Sequence, residues 1–175
     1  MIISGSEIKK LLNKDIFIEP FDESRLNPNS YNLRLYHELL VYDSSVLDMK
    51  ASLKTHTLTI PHDGLELRPG TVYLGRTVEY TKTFNHVPML EGRSSVGRLG
   101  LCIHVTAGFG DVGFSGYWTL EMSCIQPIII YPSIEICQIF YHTIQGDCSM
   151  SYQSKYQNNE GIQASKMFEE FRNER

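Results

Sequence analysis

The chain has 175 residues, 42% of them hydrophobic and 21% charged, with a formal net charge of -4. That is enough apolar sequence for one domain with a real core, while the longest apolar run, Pro127 to Tyr131, falls far short of the roughly 18 residues of a membrane span. The acidic balance argues against a nucleic-acid polymer as partner, and four cysteines with no CxxC pair argue against a disulfide framework or a zinc site.

The first residues, Met1 to Glu7, have neither a basic stretch nor a long apolar one, so no export signal is expected and a cytoplasmic location is the default. Ser4-Gly-Ser-Glu7 is a capping-box pattern followed by Ile8, Leu11 and Leu12 at helical spacing, which predicts a short helix. Beyond it, helix signals almost vanish. Leu33 to Val41, Thr57 to Ile60, Thr71 to Leu74, Leu99 to Val105, Trp118 to Ser123, Ile128 to Tyr131 and Ile134 to Tyr141 are short apolar, β-branched or aromatic runs that read as strands. Turn signals separate them, including Asp63-Gly64, Pro69-Gly70 and Gly110 to Gly116. The pattern predicts a mainly β domain: a sandwich, jelly roll or distorted barrel. Cys102, Cys124 and Cys137 lie in the strand-like runs and read as small core hydrophobes, whereas Cys148 lies outside them. Tyr152 to Arg175 is polar and is expected to form an arm that orders against something else, ending in a short helix around Ala164 to Phe171.

Alternation along a strand puts Trp118, Leu120 and Met122 on one face and Thr119, Glu121 and Ser123 on the other. Glu121 therefore points away from the apolar layer, either to a solvated sheet face or into a site. The segment Arg93-Ser-Ser-Val-Gly-Arg98 combines two guanidiniums, adjacent hydroxyls and a glycine, a set suited to phosphate oxygens, although two arginines are equally ordinary surface charges. Arg93, Arg98 and Lys155 are the candidate cations for a small anionic ligand. Ala107 to Gly116 holds four glycines in ten residues, pointing to special backbone angles or close approach to a ligand, or to a plain hairpin turn.

The run Leu90-Glu-Gly-Arg-Ser-Ser-Val-Gly-Arg-Leu-Gly-Leu101, followed by His104-Val-Thr-Ala107, Asp111-x-Gly-Phe-x-Gly116 and Thr119-Leu-Glu121, resembles the dCTP deaminases of the dUTPase superfamily. The likeness extends to Asn27-Pro-Asn-Ser-Tyr-Asn-Leu-Arg-Leu35, Ile136-Cys-Gln-Ile139 and Lys155-Tyr-Gln-Asn-Asn-Glu-Gly161. It implies a single domain over residues 1–175, a distorted β-barrel or jelly roll assembled as a homotrimer, and active sites built between neighbouring subunits. By the same resemblance Glu121 is the general base and acid for water attack at cytosine C4 of dCTP. Ser94 and Arg98 position the water and the base, or stabilise developing charge. Arg93 and the backbone through Ser95, Val96 and Gly97 cradle the triphosphate. Ala107, Thr119 and Leu120 contact substrate, and Asp111 faces the deoxyribose 3'-hydroxyl. Gln138, Tyr152, Lys155 and Asn159 hold phosphates or close a lid. Magnesium is expected on the triphosphate oxygens with few or no protein ligands, and dTTP as feedback inhibitor.

The residues agree with a metal-independent deamination. Zinc deaminases carry a ligand His or Cys two residues before the catalytic Glu, plus Pro-Cys-x-x-Cys, and this chain has neither. A positioned carboxylate must then move the proton, a contribution of roughly 10²- to 10⁴-fold.

Gly108-Phe109 stands where monofunctional members of the family carry a large basic pair, and this resembles the bifunctional branch that also splits the α-β phosphate linkage to give dUMP and diphosphate. Phe114 stands where that branch and the dUTPases have an aromatic ring against deoxyribose. A small residue 108 is expected to leave room for a second water near the α-phosphate. Gly110, at a position usually branched and apolar, predicts a permissive loop, and Ser133, in place of a usual Gly, predicts a different turn there. Asn159 stands in place of a usual Gln, its shorter amide still in reach of phosphate, directly or through water. His104 reads either as a buried, hydrogen-bonded structural residue sharing a strand face with Gly100 and Cys102, or as part of dTTP regulation. His37, His56, His62, His86 and His142 show no ligand spacing. A monofunctional deaminase releasing dUTP, acceptance of dUTP itself as substrate, a nucleotide-binding regulator without chemistry and an all-β sugar- or protein-binding module remain the alternatives.

Overall fold

The computed structural model describes residues 1–172, so the last three residues of the expected arm lie outside it. Helix α1 (Gly5–Leu11) starts where the capping box predicts: extended Ser4 takes the Glu7 amide on its side-chain oxygen at 3.2 Å. The remainder is built mainly from thirteen strands, the mainly β class expected. Strands β1 (Ile16–Glu19), β7 (Tyr80–Thr83) and β10 (Ser115–Gly116) form one sheet, with β7 central. A five-stranded sheet runs in the order β4 (Thr55–Thr59), β3 (Glu38–Tyr42), β6 (Tyr73–Arg76), β11 (Thr119–Cys124) and β9 (Leu101–Ile103). Strand β13 (Glu135–Thr143) lies between β2 (Tyr31–Arg34) and β8 (His86–Gly92), and β12 (Ile128–Ile130) pairs with β5 (Leu65–Leu67).

The sheets enclose one apolar core. Leu33, Leu39, Leu120, Met122, Ile136 and Ile139 are fully buried, each such side chain contributing about 1.5–3 kcal/mol relative to exposure. Two polar groups are buried with partners: Glu79 accepts from Arg34 Nε at 2.7 Å and from the Arg34 amide at 2.8 Å, and Trp118 Nε1 donates to Thr81 at 2.8 Å.

Several expectations are corrected. Leu33 to Val41 is two strands, because the chain leaves one sheet for another at Leu35 to His37, where the Leu35 amide bonds Ile134 and the Tyr36 amide bonds Arg76. The strand expected over Leu99 to Val105 is only Leu101–Ile103, since a helical turn, α2 (Ser94–Gly97), precedes it and His104 follows at φ 54°. The helix expected around Ala164 to Phe171 is a single 3-10 turn, Met167–Glu169. The turn at Ser133 keeps the left-handed backbone that a glycine would favour, at φ 62°, and its amide bonds the Leu35 carbonyl at 2.8 Å. Strands β1, β5, β7, β8 and β10 were not anticipated; β7 reads Tyr-Thr-Lys-Thr, yet Thr81 and Thr83 are both buried.

From Tyr152 onward the arm folds back on the same domain. The Tyr152 amide bonds the Val112 carbonyl at 2.7 Å, and the Gln157 side chain accepts from the Ser115 amide at 2.9 Å and donates to the Gly113 carbonyl at 2.7 Å. Among the described residues no helix is long and apolar enough to cross a membrane.

All four cysteines are free: Cys124 and Cys137 buried, Cys102 half-buried, Cys148 exposed. Burial pushes the Cys137 thiol well above its ordinary value and raises that of Cys124 as well. Titration with a thiol-reactive chromophore at pH 8 is expected to label Cys148 first, and Cys124 and Cys137 only after denaturation.

Candidate active site

Strand β11 obeys the alternation read from its sequence. Leu120 and Met122 are fully buried and Cys124 nearly so, while the Glu121 side chain faces outward, 41% exposed. His104 comes to it from the end of β9. Continuing the register in which Cys102 opposes Ser123 and Ile103 opposes Met122 puts His104 opposite Glu121, on the face it shares with Cys102, and at φ 54° its Nδ1 lies 2.6 Å from Glu121 Oε2. The ring is buried, meets Trp118 edge-on at 5.9 Å, and its backbone amide bonds the Glu121 carbonyl at 2.9 Å. Nδ1 is the nitrogen that meets the carboxylate, and Nε2 is buried without a protein partner among the described residues. The carboxylate is thus fixed through one oxygen. His104 is buried and hydrogen-bonded, as its structural reading expects, but the bond reaches into the site.

Glu121, His104, Asp111, Thr119, Tyr152 and Asn159 line a cavity of about 470 Å³. Ala107 and Phe114 also face it, the Phe114 ring resting on Trp118 at 4.6 Å and on Tyr152 at 6.0 Å. The arm supplies one wall and brings residues that the sequence reading did not single out. Tyr156 and Gln163 line the cavity, the Gln163 amide bonds Thr119 Oγ1 at 3.1 Å, and Gln163 Oε1 is buried without a partner. Tyr42 closes another side and accepts the Ser165 amide at 3.0 Å. No spacing signal in the sequence links Gln163 to Thr119; only the return path of the arm does. Asn159 is buried, its amide nitrogen donating to the Tyr117 carbonyl at 2.8 Å and to Thr119 Oγ1 at 3.3 Å.

The arginine-serine segment lies elsewhere. Ser94 and its neighbours form the single turn α2, with Arg93 as N-cap, and Ser94, Ser95, Gly97 and Arg98 are exposed. Arg93, Ser94 and Gly97 line a second hollow of about 570 Å³, together with Gly108 and Ile125. His104, Thr106 and Phe109 border both hollows. Within one chain, therefore, the carboxylate and the serine hydroxyls face opposite sides of the 104–109 segment. Around that divide Val105 is 74% and Phe109 68% exposed, an apolar rim. Val96 packs on the core and Leu120 is fully buried, so neither side chain reaches a ligand. Gln138 sits in β13 accepting from Ser30 at 3.0 Å. Lys155 pairs with Glu170, which holds its ammonium above the ordinary value. The three candidate cations Arg93, Arg98 and Lys155 do not converge on one cavity. Among the described residues, no three His, Cys, Asp or Glu side chains are grouped to hold a metal.

The glycines of the dividing segment have a physical cause other than the one expected. Segment 108–110 runs against β8, with Leu90 N bonded to the Gly108 carbonyl at 2.8 Å, Gly110 N to the Pro88 carbonyl at 2.9 Å, and a bridge between Met89 and Phe109. A Cβ on Gly108 would stand 2.4 Å from the Leu90 carbonyl oxygen, and one on Gly110 would stand 2.5 Å from the Trp118 ring. Smallness at 108 thus serves backbone contact with Leu90, and Gly108 also borders the second hollow. At 110 it fixes the segment to β8, where a permissive loop was expected.

Comparison with known proteins gives a consistent family. The dCTP deaminase-like family model matches residues 2–144. A protein of Hathewaya histolytica named "dCTP deaminase, dUMP-forming" is 66% identical over 171 residues, spanning 98% of this chain and 99% of its own. Proteins of the same name from Clostridium beijerinckii and Leptospira biflexa are 62% and 58% identical over the same length. The solved 2'-deoxycytidine 5'-triphosphate deaminase of Agrobacterium tumefaciens superposes with a TM-score of 0.66 at 19% identity, over 81% of this chain and 47% of that one, a likeness of fold.

The close approach at 108 is testable by stability alone. Gly108→Ala is expected to lose about 1–3 kcal/mol by urea denaturation as the segment is forced off β8. Gly161→Ala, whose Cβ would meet nothing within 4 Å, should change stability by less than about 0.5 kcal/mol.

Proposed function

The chain belongs to the dCTP deaminase-like family, and from that premise we propose that it hydrolyses dCTP at cytosine C4 and carries the nucleotide through to dUMP, the product in its relatives' names. The observation that carries the mechanism is Glu121 in the cavity with Oε2 fixed by His104 at 2.6 Å. Oε1 is then the oxygen that meets water. It takes a proton as the water oxygen bonds to C4, and the same carboxyl returns that proton to the 4-amino group, which leaves as ammonia when the C4–N bond breaks. Thr119 and Ala107 border the base, Asp111 faces the sugar, and Phe114 supports it through the aromatic stack with Trp118 and Tyr152.

Ser94 and Arg98 belong to the same reaction only if a second copy of the chain supplies them. The two hollows facing opposite sides of segment 104–109, with exposed Val105 and Phe109 between, support a homotrimer in which the cradle of one subunit meets the carboxylate of its neighbour. Arg93, the α2 turn from Ser94 to Arg98 and Gln138 of that cradle bind phosphates, together with Lys155 and the arm on the side of the neighbour's carboxylate. Magnesium would be held by the triphosphate oxygens, with few or no protein ligands, and would draw charge from the phosphates. A second water, attacking the α-phosphorus, releases diphosphate and leaves dUMP. The Gly108-Phe109 pair serves this step by holding its segment against β8. dTTP competes for the same cavity, with His104 and Thr106 at its border, and a cytoplasmic location completes the reading.

Incubation with dCTP and magnesium followed by nucleotide chromatography should give dUMP and diphosphate. Accumulating dUTP would make the enzyme monofunctional, and unchanged dCTP would make it a binder. Glu121→Gln is expected to bind nucleotide normally while ammonia release falls by at least about 10²-fold; near-wild-type release would remove Glu121 from the chemistry. Truncation after Asp147 takes away the arm's wall of the cavity and should abolish most turnover, since water then reaches the site. Unchanged turnover would end the arm's role.

A further inference from the structure

Asn27 to Leu35 marks the family as clearly as the catalytic strand does, yet no step of the reaction uses it. In the structure this segment terminates at an arginine of the phosphate cradle. Arg93 Nη1 donates to the Glu135 carbonyl at 3.0 Å and lies 3.1 Å from Glu135 Oε2. Glu135 is gripped in turn. Asn32 Nδ2 donates to Oε2 at 2.8 Å, and Arg25 Nε lies 3.7 Å from Oε1. Asn32 is buried and is fixed by Asn27, whose amide nitrogen lies 2.8 Å from Asn32 Oδ1 and 3.2 Å from Ser30 Oγ. Ser30 then donates to Gln138 at 3.0 Å.

The strand is bent to make this contact. Register between β13 and β2 shifts between Glu135 and Cys137, and Ile136 and Cys137 are both fully buried although they are successive residues. In regular alternation Glu135 would share the buried face of Cys137; the bulge turns it outward to Arg93 instead. A carboxylate beside a phosphate-binding arginine weakens the local positive field, so its presence calls for a compensating role. That role is geometric. A free arginine gives up rotamer entropy when it is fixed, and one held by Nη1 has surrendered part of it already. Nε and Nη2 have no protein partner among the described residues, which leaves them for paired bonds to phosphate oxygens.

We propose that Glu135, buttressed by Asn32 and Asn27, is a positioning residue that holds Arg93 in its triphosphate-binding orientation. This rests on the assignment of Arg93 to the triphosphate. Calorimetry with the non-cleavable analogue α,β-imido-dUTP and magnesium, set beside dUMP, which lacks the β- and γ-phosphates, separates positioning from a general structural role. Glu135→Ala should weaken analogue binding about tenfold and dUMP binding by less than about twofold. Glu135→Gln, which keeps an oxygen for Arg93 and Asn32, should stay within about threefold of wild type for both. Arg93→Ala should weaken the analogue at least as much, and adding Glu135→Ala to it should cost nothing further. Equal losses for both ligands, tighter analogue binding by Glu135→Ala, or a loss that persists without Arg93 would overturn the proposal. If Arg93→Ala weakens the analogue and Glu135→Ala does not, only the positioning role falls. If Arg93→Ala has no effect, the assignment of Arg93 to the triphosphate falls with it.

Discussion

Strand β11 cannot slip. Leu120 and Met122 are fully enclosed on one side, and pairing with β6 and β9 sets the register from Thr119 opposite Arg76 to Cys124 opposite Leu101. A shift by one residue would exchange the faces, placing the Glu121 carboxylate in the apolar layer at a penalty of several kcal/mol and exposing two core side chains. The direction of the Glu121 carboxylate is therefore set by the burial of its neighbours Leu120 and Met122, before any ligand arrives. His104 adds only the last adjustment. It selects which carboxylate oxygen stays free.

The same economy shapes the segment between the two hollows. Gly108 and Gly110 allow backbone to lie on β8 and on the Trp118 ring, so a loop that carries reaction components behaves as an extra strand. This rigidity bears on the groups to either side of the segment, which are held at a fixed separation.

Much of this was legible in the sequence where one residue type has one physical use. Ser4 with Glu7 announced the helix start, the Trp-Thr-Leu-Glu-Met alternation announced the facing of Glu121, and apolar runs announced core positions for Cys124 and Cys137 but not for Cys102, which is half-buried. What stayed hidden depends on where the chain travels. Thr81 and Thr83 look solvent-loving until β1 and β10 flank β7 and the face that the two threonines share turns inward. His104 gives no local sign of a left-handed backbone, because only its neighbours in space make that conformation worthwhile. The need for a small residue at 108 comes from the Leu90 carbonyl, which no local sequence signal points to. Gln163 and Tyr42 meet at the cavity although far apart in sequence. The division of the site residues between two hollows follows from the three-dimensional path alone.

The arm grips Gly113, Ser115, Tyr117 and Thr119 by backbone and amide bonds, on the edge opposite the buried face of Leu120 and Met122. Tyr152 apart, which packs against the core, its attachment thus rests on hydrogen bonds rather than on apolar burial. The arm can release by breaking a few hydrogen bonds while the sheets stay intact, so opening belongs to the local end of the stability range and global unfolding to the other. A destabilised core would leave exchange of nucleotide untouched until the whole domain melts, and a loosened arm would leave melting nearly unchanged while altering how long a nucleotide resides.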